Sequence, residues 1–471
     1  MTAHLPDPTR LAWGVASAAY QVEGATTEDG RGPSIWDTFA ARPGAVIDGS
    51  DGTVACDSYH RVQEDVDLIA GLGVDYYRFS IAWPRVQPTG SGAVEPRGLA
   101  YYDRLVDALL GRGVTPTATL YHWDLPQPLE TASNGAGGGW LDRDTAERFA
   151  DYAAAVHEHL GDRVHLWATH NEPWCAAYVG YGSGRHAPGR TEGDRTHAAT
   201  HHLLLGHGLA AGRLHDAGAD AVGIVLNLTP VWPDRPEAAD VADGVDAIRN
   251  RVWLGPLVDG AYDEGTLRVA PVLGEPALVK DGDLDLVRGS ADWLGVNYYT
   301  PARVDLPAAE GEDAAMGGDA GVEEFPGVAP FRFTPRPPLT DIGWEVEPDG
   351  LEELLVATHA RTGLPLLVTE NGAAFPDTTR TDEGTVDDQD RIGYLRDHVA
   401  AVGRARDRGA DVRGYVLWTL MDNFEWAEGY TKHFGVVHVD RDTLVRTPKA
   451  SYHWFSELVR SSRSALDAAG Q

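Results

Sequence analysis

Eight short apolar segments of β-forming residues recur along the chain, and each is followed by a turn and a stretch of helical period, such as "DRDTAERFADYAAAVHEHLG" from residue 142. This alternation predicts an α/β fold in which helices cover a parallel sheet, and eight such units predict a closed (β/α)8 TIM barrel with long loops at its C-terminal face. The predicted strands are "LAWGVASAAY" from 11, "DYYRFSIAW" from 75, "TPTATLYHW" from 115, "HLWATHNEP" from 165, "AVGIVLNLTP" from 221, "DWLGVNYY" from 292, "LPLLVTENG" from 364 and "RGYVLWTLMD" from 413.

An open, doubly wound sheet is the structural alternative to the barrel. Such a sheet often carries a dinucleotide fingerprint with three spaced glycines. The cluster "NGAGGGW" has Gly135 and Gly137, but Trp140 stands in the place of the third glycine. We interpret this cluster as a flexible loop, which favours the barrel.

The chain is predicted to form one domain. A length of 471 residues suggests about three domains on the usual ~150-residue scale, but the strand and helix pattern continues without a linker. We therefore predict a single catalytic barrel over residues 1–471. One segment, 305–341, is rich in acidic residues, glycine and proline. It lies between the sixth and seventh predicted strands, which predicts a long variable loop at the C-terminal face.

The charge of the chain limits its partners. A formal net charge of -32 with no basic run argues against nucleic acid and anionic membranes as partners. Cys56 and Cys175 form neither a disulfide framework nor a zinc spacing, and the first ten residues lack the apolar core of a signal peptide. Since no apolar stretch approaches the roughly 20 residues of a membrane span, we expect a cytoplasmic protein.

Polar and aromatic residues stand at the ends of the predicted strands, where barrel enzymes carry their functional groups. Carboxylates and amides bind hydroxyl groups in pairs, and indole faces stack on the apolar side of a sugar ring. The pattern therefore predicts a carbohydrate site. Its members are Arg78, His122, Trp123, Asn171, Glu172, Asn297, Tyr299, Glu370, Trp418, Glu425 and Trp426.

Two of these residues, Glu172 in "THNEPWC" and Glu370 in "VTENG", supply the predicted chemistry. Hydrolysis of a glycoside with retention needs one carboxylate as nucleophile and one carboxylic acid as proton donor, about 5 to 5.5 Å apart. The fourth and seventh strands lie on opposite sides of an eight-stranded barrel, whose narrow interior brings their ends together. The sequence therefore gives a short distance between the two carboxyl groups only as a hypothesis.

The order and content of several motifs resemble glycoside hydrolase family 1, the β-glucosidase family of retaining (β/α)8 enzymes, over nearly the whole chain. The matching stretches are "WGVASAAYQVEG", "DVDLIAGLGVDYYRFSIAWPRVQPTG", "YHWDLPQPL", "THNEPWC", "WLGVNYYTP", "TDIGWEV", "VTENG", "LWTLMDNFEWAEGY" and "HFGVVHVD".

The resemblance implies roles for these residues. Glu172 is implied to be the acid/base and Glu370 the nucleophile, with Arg78 and Tyr299 in contact with Glu370. It further implies that Trp344 is a platform on the leaving-group side and that Trp418 lies beneath the sugar ring. The remaining substrate-binding residues implied by the resemblance are Gln21, His122, Trp123, Asn171, Asn297, Glu425, Trp426 and Phe434.

The implied activity is that of a retaining β-glucosidase acting on terminal β-D-glucosyl residues, with β-galactosides and β-fucosides as side substrates. Suitable substrates are cello-oligosaccharides and aryl or alkyl β-glucosides, and no cofactor or metal is expected. In the 6-phospho-β-glycosidases of this family a serine replaces Glu425, whose carboxylate we expect to repel phosphate. His433 departs from the arginine of many relatives, while Lys432 does not discriminate between the groups.

Simpler interpretations remain open for several residues. Arg78 is compatible with a structural ion pair, and Tyr299 and Trp344 with core positions. His197 and His201, four residues apart, are interpreted as part of a packed or solvated helix rather than a metal site. The calcium-like "DGDLDL" from 281 has Leu286 where glycine is needed and is interpreted as a solvated turn. The sequon at Asn227 is placed on a buried strand.

Two other classes of protein are alternatives. A non-catalytic sugar-binding barrel would be expected to lack Glu172 or Glu370, yet both are present. A lyase or aldolase acting on phosphorylated substrates would favour a basic rim or a strand-end lysine, whereas the strand ends here carry carboxylates and tryptophans.

Overall fold

Eight parallel strands close into a barrel in which neighbours along the chain are also neighbours in space. The computed structural model describes residues 5–132, 137–307, 322–381 and 384–469. The first strand pairs with both the second and the eighth, which closes the barrel and confirms the predicted fold. The strands are β1 (Ala12–Ala16), β2 (Tyr76–Ser80), β3 (Thr115–Tyr121), β4 (Leu166–Asn171), β5 (Ala221–Leu226), β6 (Trp293–Asn297), β7 (Leu366–Asn371) and β8 (Val412–Trp418).

Helices connect the strands and cover the barrel. The longer ones carry buried apolar faces toward the strands, as a parallel sheet requires. The α-helices are Ala19–Val22, Ile35–Ala40, Val62–Leu72, Trp83–Val86, Pro96–Gly111, Gln127–Thr131, Asp144–Leu160, Thr196–Asp216, Ala239–Asp246, Val252–Asp259, Glu264–Val269, Asp283–Val287, Pro348–Thr362, Gln389–Asp407 and Ala450–Ala469. None of the helices within the described ranges combines the length and apolarity needed to cross a membrane.

The barrel interior is packed rather than open. Leu166, Val225, Trp293 and Leu367 belong to one buried apolar cluster inside it. Gly223 of β5 leaves room for the largest member, since a Cβ atom there would lie 2.4 Å from the indole of Trp293. The filled interior leaves the carboxyl ends of the strands as the place where a cavity forms.

The predicted loop at 305–341 needs a correction. Strand Ala302–Asp305 pairs in parallel with Val231–Pro233 and antiparallel with Arg332–Phe333, so the first residue of the segment and Arg332–Phe333 within it belong to a small sheet. Residues 308–321 lie outside the described part of the chain. The same is true of residues 133–136 of the glycine cluster, which continues into a buried 3-10 turn at Gly139–Leu141.

Three minor interpretations are resolved by the fold. The predicted solvated turn is correct for the exposed Asp281 and Gly282 but wrong for Asp283, which begins a helix, is buried, and bonds to both Arg143 and His201. These partners are distant in sequence, so local pattern did not reveal them. His197 and His201 lie buried on helix Thr196–Asp216. The placement of Asn227 on a strand is also wrong, because β5 ends at Leu226 and Asn227 is only partly buried.

Candidate active site

A cavity of about 530 Å³ opens at the carboxyl ends of the barrel strands. Gln21, Arg78 and Asn171 are buried behind its wall and bond to residues that line it. The fourteen predicted site residues are thus brought together. The eleven that line the cavity are His122, Trp123, Glu172, Asn297, Tyr299, Trp344, Glu370, Trp418, Glu425, Trp426 and Phe434.

The two strands that carry the predicted catalytic glutamates are irregular where they reach the cavity. Pairing of β4 with β5 shifts register between Ala168 and Asn171, and pairing of β7 with β6 shifts between Val368 and Glu370. Glu172 has a left-handed backbone with φ of 45°. Such irregularities re-aim side chains, and a left-handed non-glycine residue costs roughly 1–3 kcal/mol. The local backbone therefore turns both carboxyl groups toward the cavity.

Glu370 is held by a cation and a phenol. Arg78 Nη1 donates to its Oε1 at 2.6 Å, and the Tyr299 hydroxyl donates to its Oε2 at 2.7 Å. The other arm of Arg78, Nη2, donates to Asn171 Oδ1 at 2.7 Å. The ion pair of Arg78 is therefore made with Glu370 itself, and Tyr299 lines the cavity instead of filling the core.

The contacts of Glu172 come from an amide and a thiol instead of a cation. Asn297 Nδ2 donates to its Oε1 at 2.7 Å, and Cys175 Sγ donates to its Oε2 at 3.2 Å. Asn297 is itself oriented by the hydroxyl of Thr369, which donates to its Oδ1 at 2.7 Å. One amide side chain thus connects Glu172 to the strand of Glu370.

The two carboxyl groups differ in proton affinity. Burial and, to a smaller extent, the negative charge of Glu370 together raise the pKa of Glu172 to about 7. Burial also raises the pKa of Glu370, but the charge of Arg78 and the hydrogen bond from Tyr299 act in the opposite direction. Since only Glu370 has a cation in contact, it loses its proton first, and Glu172 retains a proton to near neutral pH.

Aromatic rings and a neutral histidine surround one end of the cavity. The His122 ring lies 5.8 Å from the rings of both Trp418 and Trp426, and Trp123 lies 4.5 Å from Trp426. Asn171 Nδ2 bonds to His122 Nε2 at 3.0 Å. Burial and the nearby charge of Arg78 hold the pKa of His122 well below its usual value. This end offers stacking faces and neutral hydrogen-bonding groups, which suit a sugar ring.

Glu425 adds a third carboxyl group to this end. Gln21 Nε2 donates to its Oε2 at 3.3 Å and to the Phe424 carbonyl at 2.8 Å. Burial, followed by the charges of Glu370 and Glu172, raises the pKa of Glu425 to about 8. Below that pH the carboxyl group of Glu425 is mostly protonated. The charge argument against a phosphate is therefore weaker than expected from the sequence, while the space that Glu425 occupies still opposes a phosphate.

The opposite end of the cavity contains the predicted Trp344 together with residues that the sequence did not predict. Trp344 lies 5.3 Å from Tyr299 and 6.0 Å from Phe434 and lines the cavity, so it is not a core residue. Trp174 and Cys175 follow directly after the Asn-Glu-Pro motif, and this adjacency was an available signal. Arg249, in the π-helical turn Ala247–Arg251, carries no motif. The additional lining residues here include Trp174, Cys175, Asn227, Arg249 and Phe325, while His186, also not predicted, packs against Trp123 and Trp426.

A (β/α)8 barrel with two unequal, buried carboxyl groups among tryptophans at its carboxyl rim has the architecture of a glycoside hydrolase. The comparison with known families agrees. The model of glycosyl hydrolase family 1 matches residues 4–464, and the chain belongs to this family.

Relatives of known name are similar over almost their full length. The chain is 48% identical to thermostable beta-glucosidase B of Thermobispora bispora, over 96% of this chain and 90% of the relative. It is 44% identical to the bifunctional beta-D-glucosidase/beta-D-fucosidase of Bifidobacterium breve, over 96% and 98%. The crystal structure of psychrophilic beta-glucosidase BglU from Micrococcus antarcticus superposes with a TM-score of 0.90 at 44% identity, covering 98% of this chain and 99% of that one.

Proposed function

We propose that the protein is a retaining β-glucosidase that removes terminal, non-reducing β-D-glucosyl residues through a covalent glycosyl-enzyme. The observation that carries the proposal is the unequal treatment of two neighbouring carboxyl groups. Glu370 accepts hydrogen bonds from Arg78 at 2.6 Å and from Tyr299 at 2.7 Å, whereas no cation contacts Glu172 among its described partners. The β-glucosidase names of the relatives support the same reaction.

The first step uses Glu370 as nucleophile and Glu172 as acid. A Glu370 oxygen attacks the anomeric carbon while Glu172 gives its proton to the oxygen of the leaving group, so the glycosidic bond breaks as the ester bond forms. Arg78 and Tyr299 favour the ionised form of Glu370 before attack. The raised pKa of Glu172, about 7, keeps the proton available for transfer.

The second step reverses the role of Glu172. Formation of the ester removes the negative charge of Glu370, which had helped to raise the pKa of Glu172. Glu172 then accepts a proton from water as that water attacks the anomeric carbon and releases the sugar with net retention. Asn171 is placed to bond the 2-hydroxyl group, a contact that strengthens in the transition state.

The end of the cavity near Glu425 is proposed to hold the glucosyl ring. Gln21, His122 and Glu425 supply hydrogen bonds, and Trp418 and Trp426 supply aromatic faces. Cello-oligosaccharides and aryl or alkyl β-glucosides fit this arrangement, with β-fucosides and β-galactosides as side substrates. The cytoplasmic location stays a prediction. Its support is that Cys56 and Cys175 are both free and buried, as is common in reducing compartments.

The test is a comparison of initial rates on p-nitrophenyl β-D-glucopyranoside and its 6-phospho counterpart. We expect turnover of the unphosphorylated glucoside with little or none of the phosphorylated one. Turnover of the phosphorylated substrate alone would contradict the role of Glu425. If the folded protein turns over neither substrate, the β-glucosidase function is contradicted. That result would favour a non-catalytic sugar-binding protein or an enzyme that hydrolyses another β-glycoside.

A further inference from the structure

Arg249 lines the cavity and forms no ion pair with any acid in the described part of the chain. Its guanidinium carbon lies 3.8 Å from the centre of the Trp174 ring, so the two planar groups are in contact. Its Nε atom is buried and has no hydrogen-bond acceptor among the residues that the structure describes. A buried donor without an acceptor is costly, which makes a missing partner a specific expectation.

The other two arginines lining the cavity are already neutralised. Arg185 pairs with Glu323 at 3.3 Å, and Arg303 pairs with Glu345 at 2.8 Å. The contrast is sharper because acidic residues outnumber basic ones by 71 to 39 in this chain. Arg249 has no carboxylate within ion-pair distance among the residues that the structure describes, so its charge is directed toward the cavity rather than toward these acids.

The position of Arg249 assigns it to the leaving-group side. Trp174 lies two residues after Glu172, and the Cys175 thiol donates to Glu172 Oε2 at 3.2 Å. Because the acid gives its proton to the leaving-group oxygen, groups on this side of Glu172 receive the aglycone. Trp174 also lies 5.5 Å from Phe325, which extends the aromatic surface on which an aryl group packs.

We propose that Arg249 and Trp174 form a leaving-group subsite that recognises β-glucosides whose aglycone is an aromatic ring bearing a carboxylate. The planar guanidinium presents its N–H groups as a fork that matches a carboxylate, while its face stays stacked on the indole. This subsite rests on the proposed β-glucosidase function and specifies its aglycone. The charge of Arg249 acts on Glu172, but burial and the charge of Glu370 raise the pKa of Glu172 to about 7, so below that pH Glu172 does not neutralise Arg249.

The experiment compares two glucosides of equal shape and different charge, 4-carboxyphenyl and 4-carbamoylphenyl β-D-glucopyranoside. The measured quantity is the ratio of their kcat/KM values, in which the effect of each variant on general activity cancels. We expect Arg249→Met to lower the carboxylate-to-carboxamide ratio by about 10- to 100-fold, the size of a charge-assisted hydrogen bond. Arg249→Lys keeps a positive charge but lacks the planar guanidinium, so its carboxylate-to-carboxamide ratio should lie between those of the wild type and Arg249→Met.

Arg185→Gln is the matched control, since it removes an arginine of the same cavity that is already paired with Glu323. Its carboxylate-to-carboxamide ratio should stay within about threefold of the wild-type ratio, because an exposed ion pair contributes little energy. A ratio equally unchanged in Arg249→Met would overturn the proposal. Turnover of neither glucoside by the wild type would instead contradict the β-glucosidase function, and with it the basis of the subsite.

A second measurement needs no variant and so does not depend on the folding of one. 4-Hydroxybenzoate and 4-hydroxybenzamide are compared as inhibitors of p-nitrophenyl β-D-glucopyranoside hydrolysis by the wild-type enzyme. Stronger inhibition by the benzoate, weakening as salt is added, supports recognition of the carboxylate by a cation. Equal inhibition by the two compounds would overturn it.

Discussion

Arg78 and Glu370 are 292 residues apart in sequence, yet Arg78 Nη1 donates to Glu370 Oε1 at 2.6 Å. Both side chains are buried. This one contact distinguishes the two catalytic candidates, because Glu172 has an amide and a thiol in the corresponding positions. A barrel rim that would otherwise hold two similar carboxyl groups therefore separates them into a nucleophile that loses its proton at lower pH and an acid that keeps its proton to higher pH.

Arg78→Met should shift the pH dependence of catalysis. Without the cation the pKa of Glu370 rises further, so the acid limb of the kcat/KM profile should move to higher pH. The maximum should fall by roughly 100-fold, since Arg78 also positions the carboxylate that attacks the anomeric carbon. The profile is measured with an aryl β-glucoside between about pH 4 and pH 9.

Arg10→Met is the matched control for that variant, because Arg10 pairs with Asp75 at 3.2 Å and is partly exposed at the other end of the barrel. It should leave the acid limb in place. An unchanged acid limb in Arg78→Met would contradict the role given to the cation.

Lys449→Met should destabilise the fold strongly. The Lys449 ammonium lies 2.6 Å from Asp377 and 2.7 Å from Asp422, and all three side chains are buried. Its removal leaves two buried carboxylates close together, at an expected cost of about 3–5 kcal/mol. Denaturant unfolding measures the loss. Lys432→Met is the control, because Lys432 forms a more exposed pair with Asp341; it should lower the free energy of unfolding by less than about 1 kcal/mol. Equal losses in the two variants would contradict a stabilising role of the buried lysine.

Glu425→Gln should change how stability depends on pH. Folding raises the pKa of Glu425 to about 8 from an ordinary value near 4.5. A carboxyl group with a raised pKa stabilises the folded state fully below its ordinary pKa, and this contribution is lost as pH rises through about 8. The melting temperature of the wild type should therefore fall more between about pH 5 and pH 8 than that of Glu425→Gln. Parallel curves would contradict the raised pKa.

Much of the fold and of the candidate site was predictable because the signals are local. The eight strands read as short apolar runs, and strand-end residues such as Glu172 and Glu370 follow from the geometry of a parallel barrel. The residues that escaped prediction depend on contacts between distant segments. Asp283 pairs with Arg143, 140 residues away, and Arg249 lies in a π-helical turn whose sequence carries no recognisable motif. The raised pKa of Glu425 likewise depends on burial, which cannot be inferred from the neighbouring residues in the sequence.

The most direct test of the central claim is chemical rescue of Glu370→Gly by azide with an activated aryl β-glucoside. The variant should lose nearly all turnover and regain part of it with azide, because azide enters the space of the missing carboxylate. Attack from that side gives α-glucosyl azide. Glu172→Gly under the same conditions should give β-glucosyl azide, since its covalent intermediate still forms on Glu370. Recovery of β-glucosyl azide from Glu370→Gly would reverse the two roles and contradict this account.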